Sequence, residues 1–198
     1  MTDLNRFLFR LVNDVWTSPA LDPFMILLGS INEYGVVWLV LLGALAALGG
    51  RTGRWAALTG LAAMVVGLAF SEVLKSIMMQ PRPFVSLADV RLLVSPPGSY
   101  SFPSVNATYA FAAFSGASLT ARRLLGRLPD WGWGFLALAV AVSYSRVYVG
   151  VHYPGDVLSG AIIGLSIGWL VASIGFRFCQ VEAFDERPTL HDNGDRTG

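Results

Sequence analysis

The sequence predicts an all-α integral membrane protein: six transmembrane helices preceded by an N-terminal amphipathic helix lying in the interface. Three observations predict it. Of 198 residues, 54% are hydrophobic and only 14% are charged, with a mean hydropathy of +0.57. Soluble domains carry about 25% charged residues, so this chain lacks the charge to cover a water-facing surface. Its apolar residues also gather into runs that approach the ~20 positions a helix needs to cross hydrocarbon. Ahead of those runs, apolar residues recur at helical spacing beside charged ones. This composition excludes a disordered chain, a nucleic-acid partner and a disulfide-stapled secreted domain. The single cysteine, Cys179, allows no internal disulfide, and with two histidines it cannot complete a Cys/His zinc site.

Taken in order, Leu4, Phe7, Leu8, Leu11, Val12 and Val15 lie beside Arg6, Arg10 and Asp14, the pattern of an interfacial helix. The first residues are polar, without the apolar core and small-residue cleavage site of a signal peptide. Phe24 to Gly50 holds one charge, Glu33, inside the polar break Ser30-Ile31-Asn32-Glu33-Tyr34-Gly35. That stretch reads as two short spans, about 19–32 and 34–49, or as one long tilted helix. Trp55 to Met79 forms the third span, with Glu72 and Lys75 near its far end. The fourth runs from about Ser104 to Thr120, the fifth from Trp131 to about Val149, the sixth from about Tyr153 to Phe176. Residues 1–178 then form one membrane domain, and 179–198 a polar cytoplasmic tail of flexible composition. Gly60, Gly67, Gly116, Gly160, Gly164 and Gly168 read as positions of close helix packing.

Basic residues orient the bundle. With six spans, eight arginines (Arg6, Arg10, Arg51, Arg54, Arg122, Arg123, Arg127 and Arg177) share one side, against Lys75, Arg82, Arg91 and Arg146 on the other. The positive-inside rule makes the first side cytoplasmic. Both termini are therefore expected in the cytoplasm, in the inner or plasma membrane, with the other face extracytoplasmic.

That outer face carries the chemistry. The connection from about 80 to 103 contains Pro81, Pro83, Pro96, Pro97 and Pro103, so it cannot be one helix. Lys75 and Arg82 stand at its start, and Pro103-Ser104-Val105-Asn106 where the chain re-enters the membrane. Across the bundle, Ser145-Arg146 closes the fifth span and His152-Tyr153-Pro154-Gly155-Asp156 opens the sixth. Three cations at a membrane boundary are costly unless paired, and arginine's planar fork suits phosphate oxygens. They point to a multiply charged anion. Asp156, four residues after His152, can share a helix face with it and hold its tautomer, making His152 a candidate nucleophile. Plainer readings exist for each: a helix cap for the His–Asp pair, an i,i+3 ion pair for Glu72 and Lys75, and interfacial placement for Arg91.

The ordered blocks resemble the type-2 phosphatidic acid phosphatase superfamily, whose signature is K-x6-R-P, then P-S-G-H, then S-R-x5-H-x3-D. Lys75 to Arg82-Pro83 matches the first block, and Ser145-Arg146, His152 and Asp156 match the third, both with the family's spacing. The resemblance implies a six-helix membrane phosphatase that needs no metal or cofactor. It implies that Lys75, Arg82, Ser104 and Arg146 bind phosphate, that His152 forms a phosphohistidine and that Asp156 orients it. The second block departs: Asn106 stands where the family has the histidine that protonates the leaving oxygen. Asparagine donates a hydrogen bond but transfers no proton at neutral pH. Three explanations stay open: a replacement engineered to slow turnover, a natural enzyme whose leaving group needs little protonation, or a binding-only relative. The expected activity is hydrolysis of a membrane lipid phosphate or pyrophosphate. Polyprenyl (undecaprenyl) diphosphate is favoured because its leaving group is a stable lipid monophosphate. Phosphatidic acid or phosphatidylglycerol phosphate hydrolysis, and silent lipid-phosphate binding or transport, are the alternatives.

Overall fold

A computed structural model describes residues 3–185, whose regular elements are all helices, with no strand among them. Helix α1 (Asp3–Arg10) continues through a wider turn, Leu11–Val15. Helices α2 (Asp22–Ile31) and α3 (Val36–Leu48) flank a tight turn, Glu33–Gly35. Then come α4 (Gly50–Met78), the short α5 (Pro83–Ser86), α6 (Val105–Leu125), α7 (Asp130–Tyr148) and α8 (Pro154–Asp185). The sixth expected span therefore extends well past Phe176, so the first residues of the polar tail are helical. The rest of that tail, with His191, lies outside the described residues.

Helix α6 is the centre of the bundle and packs most extensively on α8 and α4. It can do so because Ala107, Ala110, Ala112, Ala113, Ala117 and Ala121 on it are fully buried. Small residues let helix backbones approach, which is how helices associate where lipid is as apolar as leucine. At Gly116 the approach is close enough for the Thr59 hydroxyl to donate to its carbonyl at 3.0 Å. On α8, a Cβ at Gly164 would lie 2.9 Å from the Ala112 nitrogen and closer still to the Thr108 carbonyl. A second apolar cluster, including Phe9, Met25, Leu28, Tyr148, Val149 and Tyr153, joins α1 and α2 to the α7–α8 connection.

Helices α4 and α8 are long and apolar enough to cross a membrane. Segments Asp22–Ile31 and Glu33–Leu48 qualify only together, bent by 51°. At 1.5 Å per residue α2 and α3 reach about 15 and 20 Å, against ~30 Å of hydrocarbon. The expected first and second crossings thus do not exist as two full-length helices.

The N-terminal helix also sits at the other end of the bundle from the one the charge count gave it. Asn5 Oδ1 accepts from the Gly155 amide at 2.9 Å, Phe9 packs on Tyr153 with ring centroids 5.5 Å apart, and Arg10 donates to the Ala88 and Asp89 carbonyls. These contacts are with the start of α8 and the 80–103 connection. Arg123 of α6, by contrast, reaches Ser173 and Phe176 near the far end of α8. Arg6 and Arg10 therefore join Lys75, Arg82, Arg91 and Arg146, so each end carries six of these twelve cations. The described N-terminal helix and the end of α8 lie on opposite sides.

Gly164→Val should lower the thermal midpoint in detergent by the equivalent of about 1–3 kcal/mol, the usual effect of overpacking a core. Gly43→Ala, where a Cβ meets nothing within 4 Å, should be neutral or slightly stabilising in the same melt.

Candidate active site

Each polar side chain of the site end is placed by a chain break next to it. Met79 adopts a left-handed conformation (φ 44°) and ends α4 one turn after Lys75, its amide donating to the Lys75 carbonyl at 3.0 Å. Arg82, preceding a proline, is held extended (φ −75°, ψ 161°) and turns inward. At the end of α7 the chain reverses at Gly150 (φ +87°), where a Cβ would also lie 2.7 Å from the Arg91 carbonyl. The reversal lets the Val151 and His152 amides bond back to the Arg146 carbonyl at 3.1 and 3.2 Å. Pro154 then starts α8, a position where its missing N–H costs nothing. The Ser104 amide donates to the Asp156 carbonyl at 3.0 Å, locking the start of α6 to that of α8.

The result is one cavity of about 1040 Å³ whose lining includes Lys75, Arg82, Asn106, Arg146 and His152. Lys75, Arg82, His152 and Asp156 are 4%, 5%, 1% and 1% exposed, so each needs partners. Lys75 Nζ donates to the Tyr100 carbonyl at 2.7 Å and contacts the Ser99 hydroxyl at 3.2 Å. It is not ion-paired with Glu72. Arg82 donates from Nε to the Ser99 carbonyl (2.7 Å), from Nη2 to the Ser99 hydroxyl (3.1 Å) and from Nη1 to the Val151 carbonyl (2.8 Å).

Arg82 Nη1 also lies 3.2 Å from His152 Nε2. A guanidinium can only donate, which makes Nε2 the bare nitrogen and puts the ring proton on Nδ1. Nδ1 faces Asp156 Oδ2 at 3.6 Å, an electrostatic separation rather than a hydrogen bond. Burial holds the His152 imidazole well below its ordinary value; Asp156 opposes this, and the Arg82 and Arg146 guanidiniums reinforce it. The ring is neutral with its lone pair turned toward the cavity.

Asp156 lies behind His152, off the cavity lining. Its Oδ1 accepts from Gln80 Nε2 at 2.8 Å, and its Oδ2 from the Ser101 hydroxyl at 2.5 Å and the Tyr153 amide at 2.9 Å. Ser104 is also behind the lining, its hydroxyl buried and without a partner among the described residues. Asn106 does face the cavity. Its Oδ1 accepts from Asn32 Nδ2 (3.0 Å) and lies 2.6 Å from the Tyr109 hydroxyl, which shares its one proton between Asn106 and the Asn32 carbonyl; the Asn106 amide hydrogens are left for the cavity. Arg91 belongs elsewhere: it pairs with Asp22 and lies over the Tyr148 ring, and its backbone amide donates to Asn13. Gln80, Ser101, Ser99 and Asn32 were not singled out by sequence reasoning. Their only signal is position, inside the long connection or the polar break.

A family model described as the PAP2 superfamily matches residues 56–178. The chain belongs to that superfamily. It is 37% identical over 174 residues to the undecaprenyl-diphosphatase of Sulfolobus acidocaldarius, covering 86% of this chain and 78% of that protein. Among solved structures, Aquifex aeolicus LpxE superposes with a TM-score of 0.69 at 30% identity, covering 87% of this chain and 96% of that one. The first transmembrane PAP2 type phosphatidylglycerolphosphate phosphatase from Bacillus subtilis shares the fold, with a TM-score of 0.67 at 24% identity over 96% of this chain and 88% of that one.

With His191→Ala removing the only other histidine, the ring of His152 should stay neutral and protonated on Nδ1 through the range where an exposed histidine titrates, about pH 6.5. Nitrogen-15 spectra of histidine-labelled protein check this. A ring titrating near that value would contradict the burial described above.

Proposed function

We propose that this protein hydrolyses a membrane lipid phosphate at the extracytoplasmic face, with a polyprenyl diphosphate of the undecaprenyl type as substrate and the lipid monophosphate and phosphate as products. The observation that carries the reading is the cavity itself, where a neutral buried imidazole and three cations share one chamber with an apolar wall. On α4 that wall is a helical stripe, Leu61, Met64, Val65 and Leu68, continuing through Glu72 to Lys75. Leu39 of α3 faces the same chamber, and Leu39 and Val65 are 46% and 57% exposed on the outside of the bundle. An isoprenoid tail can stay in the bilayer along this stripe while its headgroup meets the cations. The name of the archaeal relative supports the same lipid.

In this reading Lys75, Arg82 and Arg146 receive the phosphoryl oxygens, with the Ser104 hydroxyl contributing from behind, and Arg82 leaves Nε2 for the phosphate as it does so. His152 Nε2 attacks phosphorus, and Asp156 steadies the positive ring that forms. A lipid monophosphate leaves as a stable anion, so the hydrogen bond from Asn106 suffices where a monoester's alkoxide would need a proton. Water then cleaves the phosphohistidine.

The fold also suggests a topology. Helices α2–α3 make one broken crossing, and α4, α6, α7 and α8 make four more, which puts α1 outside and the end of α8 in the cytoplasm. Exposed Leu4, Phe7 and Val15 of α1 and its following turn then rest on the outer leaflet. Of the six cations at the site end, three line the cavity and two are ion-paired, Arg10 with Asp14 and Arg91 with Asp22. The arginines near the opposite end still favour the cytoplasm.

Purified protein in lipid micelles should release phosphate from farnesyl or longer prenyl diphosphates faster than from phosphatidic acid. His152→Ala should abolish release, and Asn106→His should raise it most for the monoester, up to about 10²-fold. Retained binding with no release from any lipid phosphate, even after Asn106→His, would favour a silent lipid-phosphate binding protein instead.

A further inference from the structure

We propose that Glu33 is the catalytic base of the second half-reaction, taking the proton from the water that hydrolyses the phosphohistidine. The inference rests on the hydrolase reading above. A stable leaving anion relaxes the need for an acid in the first step, but water still has to lose a proton in the second. Asn106 cannot take that proton, since an amide is not a base at neutral pH.

Two carboxylates face the cavity, Glu33 and Glu72. Neither makes a hydrogen bond or an ion pair among the described residues. Direction of attack separates them. Water must approach phosphorus opposite the bond to Nε2, through the space the leaving group has vacated, and the resemblance puts Asn106 at that leaving-group position. Glu33 is on that side: its chain neighbour Asn32 donates to Asn106 Oδ1 at 3.0 Å, and the Tyr109 hydroxyl bonds both the Asn32 carbonyl and Asn106.

The backbone at Glu33 is held in an unusual shape. Tyr34 and Gly35 are both left-handed (φ 54° and 73°), and Tyr34 is not a residue that adopts this freely. Gly35 also presses on Met64 of α4, which leaves no room there for a Cβ. Such strain persists only where surrounding structure enforces it, and here it turns Glu33 onto the cavity wall between α2 and α3.

The step balances. The water oxygen forms a bond to phosphorus as the P–N bond breaks, its electron pair returning to His152 Nε2. The water proton goes to the Glu33 carboxylate and departs on the released phosphate.

The test uses full-length protein in micelles with p-nitrophenyl phosphate, whose leaving group needs no proton. Glu33→Gln should give a burst of about one p-nitrophenolate per active site, followed by turnover about 10²–10⁴-fold slower than wild type. Phosphate should be found on His152 during the slow phase, and adding Asn106→His should restore turnover. Unchanged turnover overturns the proposal, as does loss of the burst together with the steady rate, or a burst seen in Glu72→Gln instead. Unmodified protein that releases no phosphate from this substrate or from farnesyl diphosphate overturns this assignment; no release even after Asn106→His overturns the hydrolase reading as well.

Discussion

One buried carboxylate organises the end of the bundle that holds the cavity. Asp156 has almost no exposure, and an ion in such a place is tolerable only if its oxygens are met by donors. Three donors meet it, each from a different part of the local chain: Gln80 from the start of the long connection, Ser101 from its end, and the Tyr153 amide from the turn before α8. Its backbone carbonyl holds the first residue of the α6 entry, Ser104. The connection is therefore closed on itself across the carboxylate, the Ser101 amide bonding to the Gln80 carbonyl at 2.8 Å. His152 stands in front of this knot, facing the cavity.

The knot sits on a rigid floor. Helices α4, α6 and α8 approach through glycine, alanine and serine, which leaves little side-chain volume between backbones and little freedom to slide. Ser115 of α6 adds contacts to the carbonyls of Gly164 and Leu165 on α8, at 3.3 and 3.4 Å. Because α4 carries Lys75 in its last turn and α6 and α8 begin beside Ser104 and Asp156, packing in the middle of the bundle sets distances at its end. The α3–α4 side is built differently, from leucine and valine that remain exposed, and this is the side on which the cavity meets the surroundings.

Much of this was legible in the sequence, for physical reasons that differ by element. Lys75, Arg82, Arg146, His152 and Asp156 could be brought together on paper because their spacing places each at a helix end on one face. Helix positions followed from hydropathy within a few residues for α4, α6 and α7. Gln80 and Ser101 could not be found in this way, since a donor to a buried carboxylate may come from any loop residue that happens to reach it. The α2–α3 break was visible as polarity, but not the bend, which depends on Tyr34 and Gly35 adopting left-handed backbone against Met64. The N-terminal helix sits at the other end because Asp22–Ile31 and Glu33–Leu48 are long enough to cross only together, and reading them as two spans put the start of the chain on the opposite side.

The way Ser99 and Tyr100 sit against the cations has its own consequence. Lys75 and Arg82 are already bonded to three loop carbonyls and a loop hydroxyl, so an arriving anion must displace oxygens of the protein rather than bare charge. What it gains is only a difference, small for a singly charged guest and larger for a dianion. Inorganic phosphate left behind after turnover meets the same competitor as soon as it loosens. Self-occupancy of this kind trades grip for exchange, and it suits a surface catalyst that must clear its pocket for the next lipid diffusing past.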